Sequence, residues 1–299
     1  MNIPVAHTDP RPLHGKVVLV TGATQGMGRD LARHLAGDGA TLLLHGRDPG
    51  RLQEAVDAVR AAAPGAAVRG YLADLADLDQ VREMAARVID AEPRLDVLVN
   101  NAAAGGGSEP ARRDVSRQGH ELRFAVNHLA PYALIRALLP LLTASAPARV
   151  VNVASIGQTP VDFDDVMLER GYEGLDAYCR SKLAMIMSTF DLAEELADRG
   201  ITVNAVHPAH LMDTPGVRAY GLTPVVGTAE GVAPTARLIT DPALAGVTGR
   251  YFDRFTDARA HDEAYDPAAR ARLAEITERL TRVEGGSAGA GAGRRRPGE

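Results

Sequence analysis

Tyr178 and Lys182 stand four residues apart in a stretch, about 176–199, whose apolar spacing predicts a long helix. Positions i and i+4 share one helical face, so the phenol and the ammonium are neighbours. A tyrosine hydroxyl has a pKa of about 10 and is a poor acid or base at neutral pH unless its anion is stabilised. A lysine one turn away supplies that stabilisation, because its positive charge favours the phenolate. Such a pair can protonate a developing alkoxide or deprotonate an alcohol. Taken alone, Tyr-x-x-x-Lys is usually an amphipathic surface pair, so its weight depends on the rest of the chain.

A second chemical group is Thr21-Gly22-Ala23-Thr24-Gln25-Gly26-Met27-Gly28, directly after the apolar run 16–21. Glycines at a strand-to-helix junction let the backbone turn tightly and approach a pyrophosphate. The helix then offers free N–H groups and a positive dipole end to the anion. Gly22, Thr24, Gln25, Gly26, Met27 and Gly28 are therefore candidate cofactor contacts. The second strand ends His45-Gly46-Arg47-Asp48. A carboxylate at that tip would bond a free ribose 2′-OH. Arg47 instead offers a planar fork suited to a 2′-phosphate, with Arg29 close to the first helical turn. NADP(H) is thus expected over NAD(H). A surface pair of Arg47 with Asp48 or Glu54 is the competing interpretation. Asp74, after the third strand, is placed to accept from the adenine amino group.

These residues need a scaffold, and the hydrophobic pattern predicts one. Short apolar runs at 16–21, 40–45, 67–72, 95–99, 149–154 and 201–207 read as strands. Helical stretches follow at about 26–37, 48–63, 78–91, 118–142 and 176–199. This alternation implies an α/β fold, a doubly wound parallel sheet (Rossmann fold) in a single domain. Residues 1–14 read as a flexible leader, 15–283 as the oxidoreductase domain and 284–299 as a disordered Gly/Ala-rich tail. The chain has 299 residues, 45% of them hydrophobic, which is enough for one large core. Its formal charge of −5 argues against a nucleic-acid partner, and Arg294–Arg296 in the tail is too small a basic run to change that. The single cysteine, Cys179, forms neither an internal disulfide nor a cysteine-based zinc site, and no metal is expected. It is expected to act as a small buried hydrophobe rather than a redox-sensitive thiol. No stretch approaches about 20 uninterrupted apolar residues. The expectation is a cytoplasmic protein without a membrane partner.

In this order, T-G-A-T-Q-G-M-G (21–28), Asp74-Leu75, Asn100-Asn101-Ala102, Asn127, Ser155 and Y-C-R-S-K (178–182) resemble the short-chain dehydrogenase/reductase superfamily over about residues 15–255. FAVNHLAPY (124–132) and TGRYF (248–252) resemble its retinol-dehydrogenase-like branch. The resemblance implies a catalytic set of Tyr178, Lys182, Ser155 and Asn127. Ser155 would orient the substrate oxygen, and Lys182 would also hold the nicotinamide ribose. Asn127 would kink its helix and hold a water in a proton relay. Cofactor contacts from Leu75, Asn101, Ala102, Ala103, Pro208 and Thr214 are implied likewise, as is a homodimer or homotetramer.

Two departures stand out. Ala103 replaces the glycine usual in Asn-Ala-Gly, which implies a slightly shifted backbone beside the nicotinamide. Pro208-Ala209 replaces Pro-Gly, and Thr214 lies one position further from Pro208 than the pattern has it. His210 is either a substrate contact or an idle loop residue. Segments 209–235 and 158–175 contain Met212, Tyr220, Leu222 and Val225, and Phe163, Val166, Met167 and Leu168. They suggest an apolar pocket and a fairly hydrophobic carbonyl or alcohol substrate, although such residues equally pack a loop down. Rival functions are a non-standard tailoring reaction (cyclase, epimerase or dehydratase) and a non-catalytic dinucleotide sensor.

Overall fold

Strand β1 (Val17–Val20, VVLV) is buried along its whole length because helices cover both faces of the sheet. Val17 and Leu19 face one core, and Val18 and Val20 face the other. The computed structural model describes residues 11–105, 109 and 111–282. Residues 1–10 of the expected leader, Gly106 and Gly107, and the expected tail with Arg294–Arg296 lie outside the described residues.

The other strands are β2 (Thr41–Gly46), β3 (Val68–Leu72), β4 (Val97–Asn100), β5 (Ala148–Val153), β6 (Ile201–His207), β7 (Tyr251–Asp253) and β8 (Thr256–Ala258). They lie in the order β3-β2-β1-β4-β5-β6-β7-β8. Neighbours pair in parallel, except that β8 runs antiparallel to β7. The order reverses between β1 and β4, which leaves a crevice at their carboxyl ends. The first six strands fall within about two residues of the expected positions. β7 and β8 extend the sheet beyond them.

The helices are α1 (Gly26–Gly37), α2 (Pro49–Ala62), α3 (Leu78–Ala91), α4 (Leu122–Ala144), α5 (Gly174–Leu196), α6 (Pro215–Ala219), α7 (Val232–Thr240) and α8 (Pro267–Thr281). One core is built with α1, α2 and α7, the other with α3, α4 and α5. Helix α8 lies outside α5 and closes the second core through Leu273.

Helix α4 starts four residues later than its spacing predicts. Val115 and Glu121 form an antiparallel bridge, and the buried Glu121 carboxylate then caps the helix by accepting from Phe124 N–H at 2.7 Å. A π-turn, Ala125–Leu129, interrupts the α-helical bonding. By length and composition α4 is apolar enough to cross a membrane, with a mean hydropathy of 1.3. Charged and polar residues interrupt it, however, and 67% of that stretch is buried inside the fold. Helix α5 begins where the Glu173 carboxylate accepts from Leu175 and Asp176 N–H.

Candidate active site

The glycine turn between β1 and α1 has no room for side chains at its key positions. Gly22 has φ +66°, and a Cβ there would sit 2.8 Å from the Ala102 Cα. A Cβ on Gly28 would meet Asn101 Nδ2 and the Gly22 carbonyl at 2.4 Å. Thr21 welds this turn to the loop after β4: its Oγ1 accepts from the N–H groups of Asn101 (2.9 Å) and Ala102 (3.1 Å). Asn101 Nδ2 donates back to the Thr21 and Gly22 carbonyls. His45 completes the frame. Its Nδ1 accepts from Gly22 N–H (3.1 Å), so the Nε2 proton faces the Ala73 carbonyl (3.0 Å). Burial lowers its pKa to about 4, so it stays neutral. Thr24 packs over β2, and a Cβ on Gly46 would lie 2.4 Å from Thr24 Cγ2. Gln25 is exposed at the N-cap of α1, while Met27 is buried.

Arg47 is exposed at the tip of β2 and makes no ion pair among the described residues. The pairing with Asp48 does not form, because Asp48 caps α2 through Arg51 N–H at 2.8 Å. Arg29 Nε is buried without a hydrogen-bond partner among the described residues. Asp74 Oδ1 accepts from Ala76 N–H at 2.9 Å, and Leu75 is buried.

At the carboxyl end of β5, Ser155 meets helix α5. Burial pushes the Tyr178 phenol up, and the neighbouring Ser155 hydroxyl opposes that rise. Lys182 is fully buried, and its Nζ donates to the Val153 carbonyl at 2.7 Å and lies 5.7 Å from the Tyr178 ring centre. Burial brings its pKa down from 10.5 to about 7. Asn127 lies inside the π-turn and is fully buried. Its Oδ1 accepts from Ala104 N–H (2.8 Å), and its Nδ2 donates to the Ala104 carbonyl (3.0 Å) and Ser181 Oγ (2.9 Å). Ser181 Oγ in turn donates to the Tyr178 carbonyl at 2.7 Å. The fold thus brings Tyr178, Lys182, Ser155 and Asn127 together beside the glycine turn.

Several expectations need adjusting. Ala103 is not in the left-handed region, so its backbone does not call for glycine. Pro208 is buried. Thr214 caps α6 through Val217 N–H (3.3 Å), and its Cγ2 lies 3.7 Å from the position of a Cβ on Gly26, so it stands over the glycine turn despite its offset. His210 is exposed, 6.5 Å from the His207 ring. Phe163, Val166 and Met167 are partly buried against the core, and Leu168 is buried, as the loop-packing alternative has it. Arg272 of α8 covers the Phe163 ring at 5.0 Å. Among the described residues, the apolar side chains left exposed near the site include Ile156, Leu222 and Val225. Cys179 is half-buried, with its Sγ 2.9 Å from the position of a Cβ on Gly157, and burial raises its pKa. A cavity of about 380 Å³ opens on the opposite, amino-terminal edge of the sheet, beside Lys16, Asp96 and Arg149, and includes none of these residues.

His45, Ser181 and Glu173 were not singled out from sequence. Ser181 sits inside the Y-C-R-S-K run, and Glu173 stands just before a predicted helix, as caps do. His45 carries no comparable mark.

Residues 16–222 match the family model for short chain dehydrogenase. The chain belongs to this family. Human retinol dehydrogenase 13 is 35% identical over 287 residues, covering 90% of this chain and 86% of that protein, which places the chain in the retinol-dehydrogenase-like branch. An uncharacterized Mycobacterium paratuberculosis protein of known structure aligns at a TM-score of 0.71 and 28% identity, over 90% of this chain and 94% of that one. A short chain dehydrogenase from Shigella flexneri, solved in complex with NADP, aligns at 0.68 and 27% identity, over 83% and 100%. Family members use a nicotinamide dinucleotide. The glycine cradle, too tight for any Cβ at Gly22 or Gly28, fits such a group.

Proposed function

We propose that this short chain dehydrogenase is an NADP(H)-dependent oxidoreductase interconverting a ketone or aldehyde with its alcohol, with Tyr178 as the acid/base. The observation that carries this reading is Tyr178 beside Ser155, one helical turn from the buried Lys182, whose Nζ lies 5.7 Å from the Tyr178 ring centre. Thr24, Gln25, Gly26 and Met27 would meet the pyrophosphate at the α1 N-terminus. Arg47 and Arg29, neither neutralised by a carboxylate among the described residues, suit the 2′-phosphate. The NADP complex of the Shigella relative supports that preference. Asp74 would take the adenine amino group, and Lys182 and Thr214 the nicotinamide end.

When bound, the nicotinamide gives a hydride to the carbonyl carbon or takes one from the alcohol. Ser155 orients the substrate oxygen, and the Tyr178 hydroxyl gives up its proton to that oxygen in reduction. Burial alone leaves the phenol too weakly acidic for this, so the positive charge on Lys182 must stabilise the phenolate. Asn127 has spent its side chain on Ala104 and Ser181. Its part in a relay therefore falls to its main-chain carbonyl, in the π-turn where α-helical bonding is interrupted. The exposed apolar side chains of Ile156, Leu222 and Val225 favour a fairly hydrophobic substrate, as does the name of the human relative.

A carbonyl screen followed by NADPH absorbance, with NADH as control, tests this. Tyr178→Phe should abolish turnover and leave NADPH binding within about twofold. Turnover surviving in that variant would remove Tyr178 as the acid. NADPH binding without oxidation across the screen would favour the dinucleotide sensor, and product formation without net NADPH change a tailoring reaction.

A further inference from the structure

His128 follows Asn127 in the π-turn but is tied in the opposite direction. Asn127 is bound to the β4 loop and to α5, whereas His128 Nε2 lies 2.7 Å from Thr277 Oγ1 of helix α8. Both partners are buried, at 1% and 0% exposure. They are 149 residues apart in sequence. The Phe124 ring packs on the imidazole, with centres 4.8 Å apart. His128 Nδ1 is buried and has no hydrogen-bond partner among the described residues. A buried polar atom left unmatched costs about 1–3 kcal/mol. For packing alone, an apolar side chain at 128 and valine at 277 would do better. What the polar pair supplies is a directional constraint on the backbone of the π-turn.

We propose that His128 and Thr277 are positioning residues, through which the C-terminal helix holds the π-turn and the Asn127 carbonyl in place for proton transfer. This rests on the oxidoreductase reading for its effect on rate, but its effect on backbone order stands independently. A π-turn has irregular hydrogen bonding and needs outside support to keep one geometry. Asn127 supplies that support from one side, through Ala104 and Ser181, and His128 supplies it from the other, through α8. Burial keeps the imidazole neutral, so the tie persists across the working pH range.

The test uses Thr277→Val, which keeps shape and removes the hydroxyl, and Thr277→Ser, which restores it. Each is measured for kcat, KM for NADPH, the solvent isotope effect on kcat, and hydrogen exchange of the amides at 125–130. Thr277→Val should lower kcat about tenfold with KM within twofold, enlarge the solvent isotope effect and speed exchange several-fold at 125–130 only. Thr277→Ser should recover all four. Wild-type kcat and exchange in Thr277→Val would overturn the proposal. So would faster exchange across the whole sheet, or a loss that serine does not repair. Should the wild type turn over no carbonyl at all, the oxidoreductase reading fails. The exchange at 125–130 would then still decide whether α8 orders the turn.

Discussion

Replacing Lys182 with methionine should make the cofactor-free protein more stable at pH 6 and less stable at pH 10, while ending turnover. The ammonium is fully buried, and burial takes its pKa from 10.5 to about 7. Each pKa unit is worth about 1.4 kcal/mol, so the charged form is penalised by about 4–5 kcal/mol in the fold. The unfolded chain holds the lysine proton up to about pH 10.5, the folded chain only to about 7. Wild-type stability therefore gains from this group as pH rises through that window, and the penalty is complete below pH 7. Methionine removes the penalty. It also removes the donor to the Val153 carbonyl (2.7 Å), at a pH-independent cost of about 1–3 kcal/mol. The difference should thus favour the variant by about 1–4 kcal/mol at pH 6 and favour wild type by up to about 2 kcal/mol near pH 10. Urea unfolding of both proteins from pH 6 to 10 measures it, and other titrating groups cancel in the difference. A difference that stays flat over that range would refute the reasoning.

Gly22→Ala forces a Cβ to 2.8 Å from the Ala102 Cα at φ +66°, so NADPH affinity should fall at least tenfold and the melting temperature should drop; unchanged binding by fluorescence titration would count against the cradle. Arg47→Ala should weaken NADPH binding by about 10–100-fold, the range for a lost charge-assisted bond, and leave NADH unchanged. Equal losses for both would show that Arg47 does not read the 2′-phosphate. His45→Leu strands Gly22 N–H and the Ala73 carbonyl and should cost about 2–5 kcal/mol in thermal unfolding, with weaker cofactor binding.

Much of the fold was legible because most of its central strands are almost wholly buried. Runs such as VVLV and TLLLHG, each closing on a turn, admit few other interpretations. The short edge strands β7 and β8 were not, since three residues carry too little period to be seen. Gly46 was read only as the lack of a carboxylate, whereas Thr24 leaves no space there for any side chain. The ties that set the site are long-range: Thr21 to Asn101 spans 80 residues, Asn127 to Ser181 spans 54, and His128 to Thr277 spans 149. No local pattern encodes such distances. The apolar residues of 158–175 admitted two interpretations for a related reason. Hydrophobicity says that a side chain leaves water, not whether it does so into a ligand pocket or, as with Phe163 and Leu168, into the protein.

The Glu173 carboxylate divides its two oxygens between separate tasks. Oε2 accepts from Asp176 N–H (2.7 Å), while Oε1 is shared by Leu175 N–H (3.1 Å) and the Tyr220 hydroxyl (2.6 Å) from the segment after α6. Withdrawal of Tyr220 leaves both amide bonds, and with them the first turn of the helix that carries Tyr178 and Lys182. On the proposed function, the stretch around Tyr220 can therefore be recut for a larger or smaller guest, or grafted from a relative, without unravelling the helix that carries Tyr178 and Lys182.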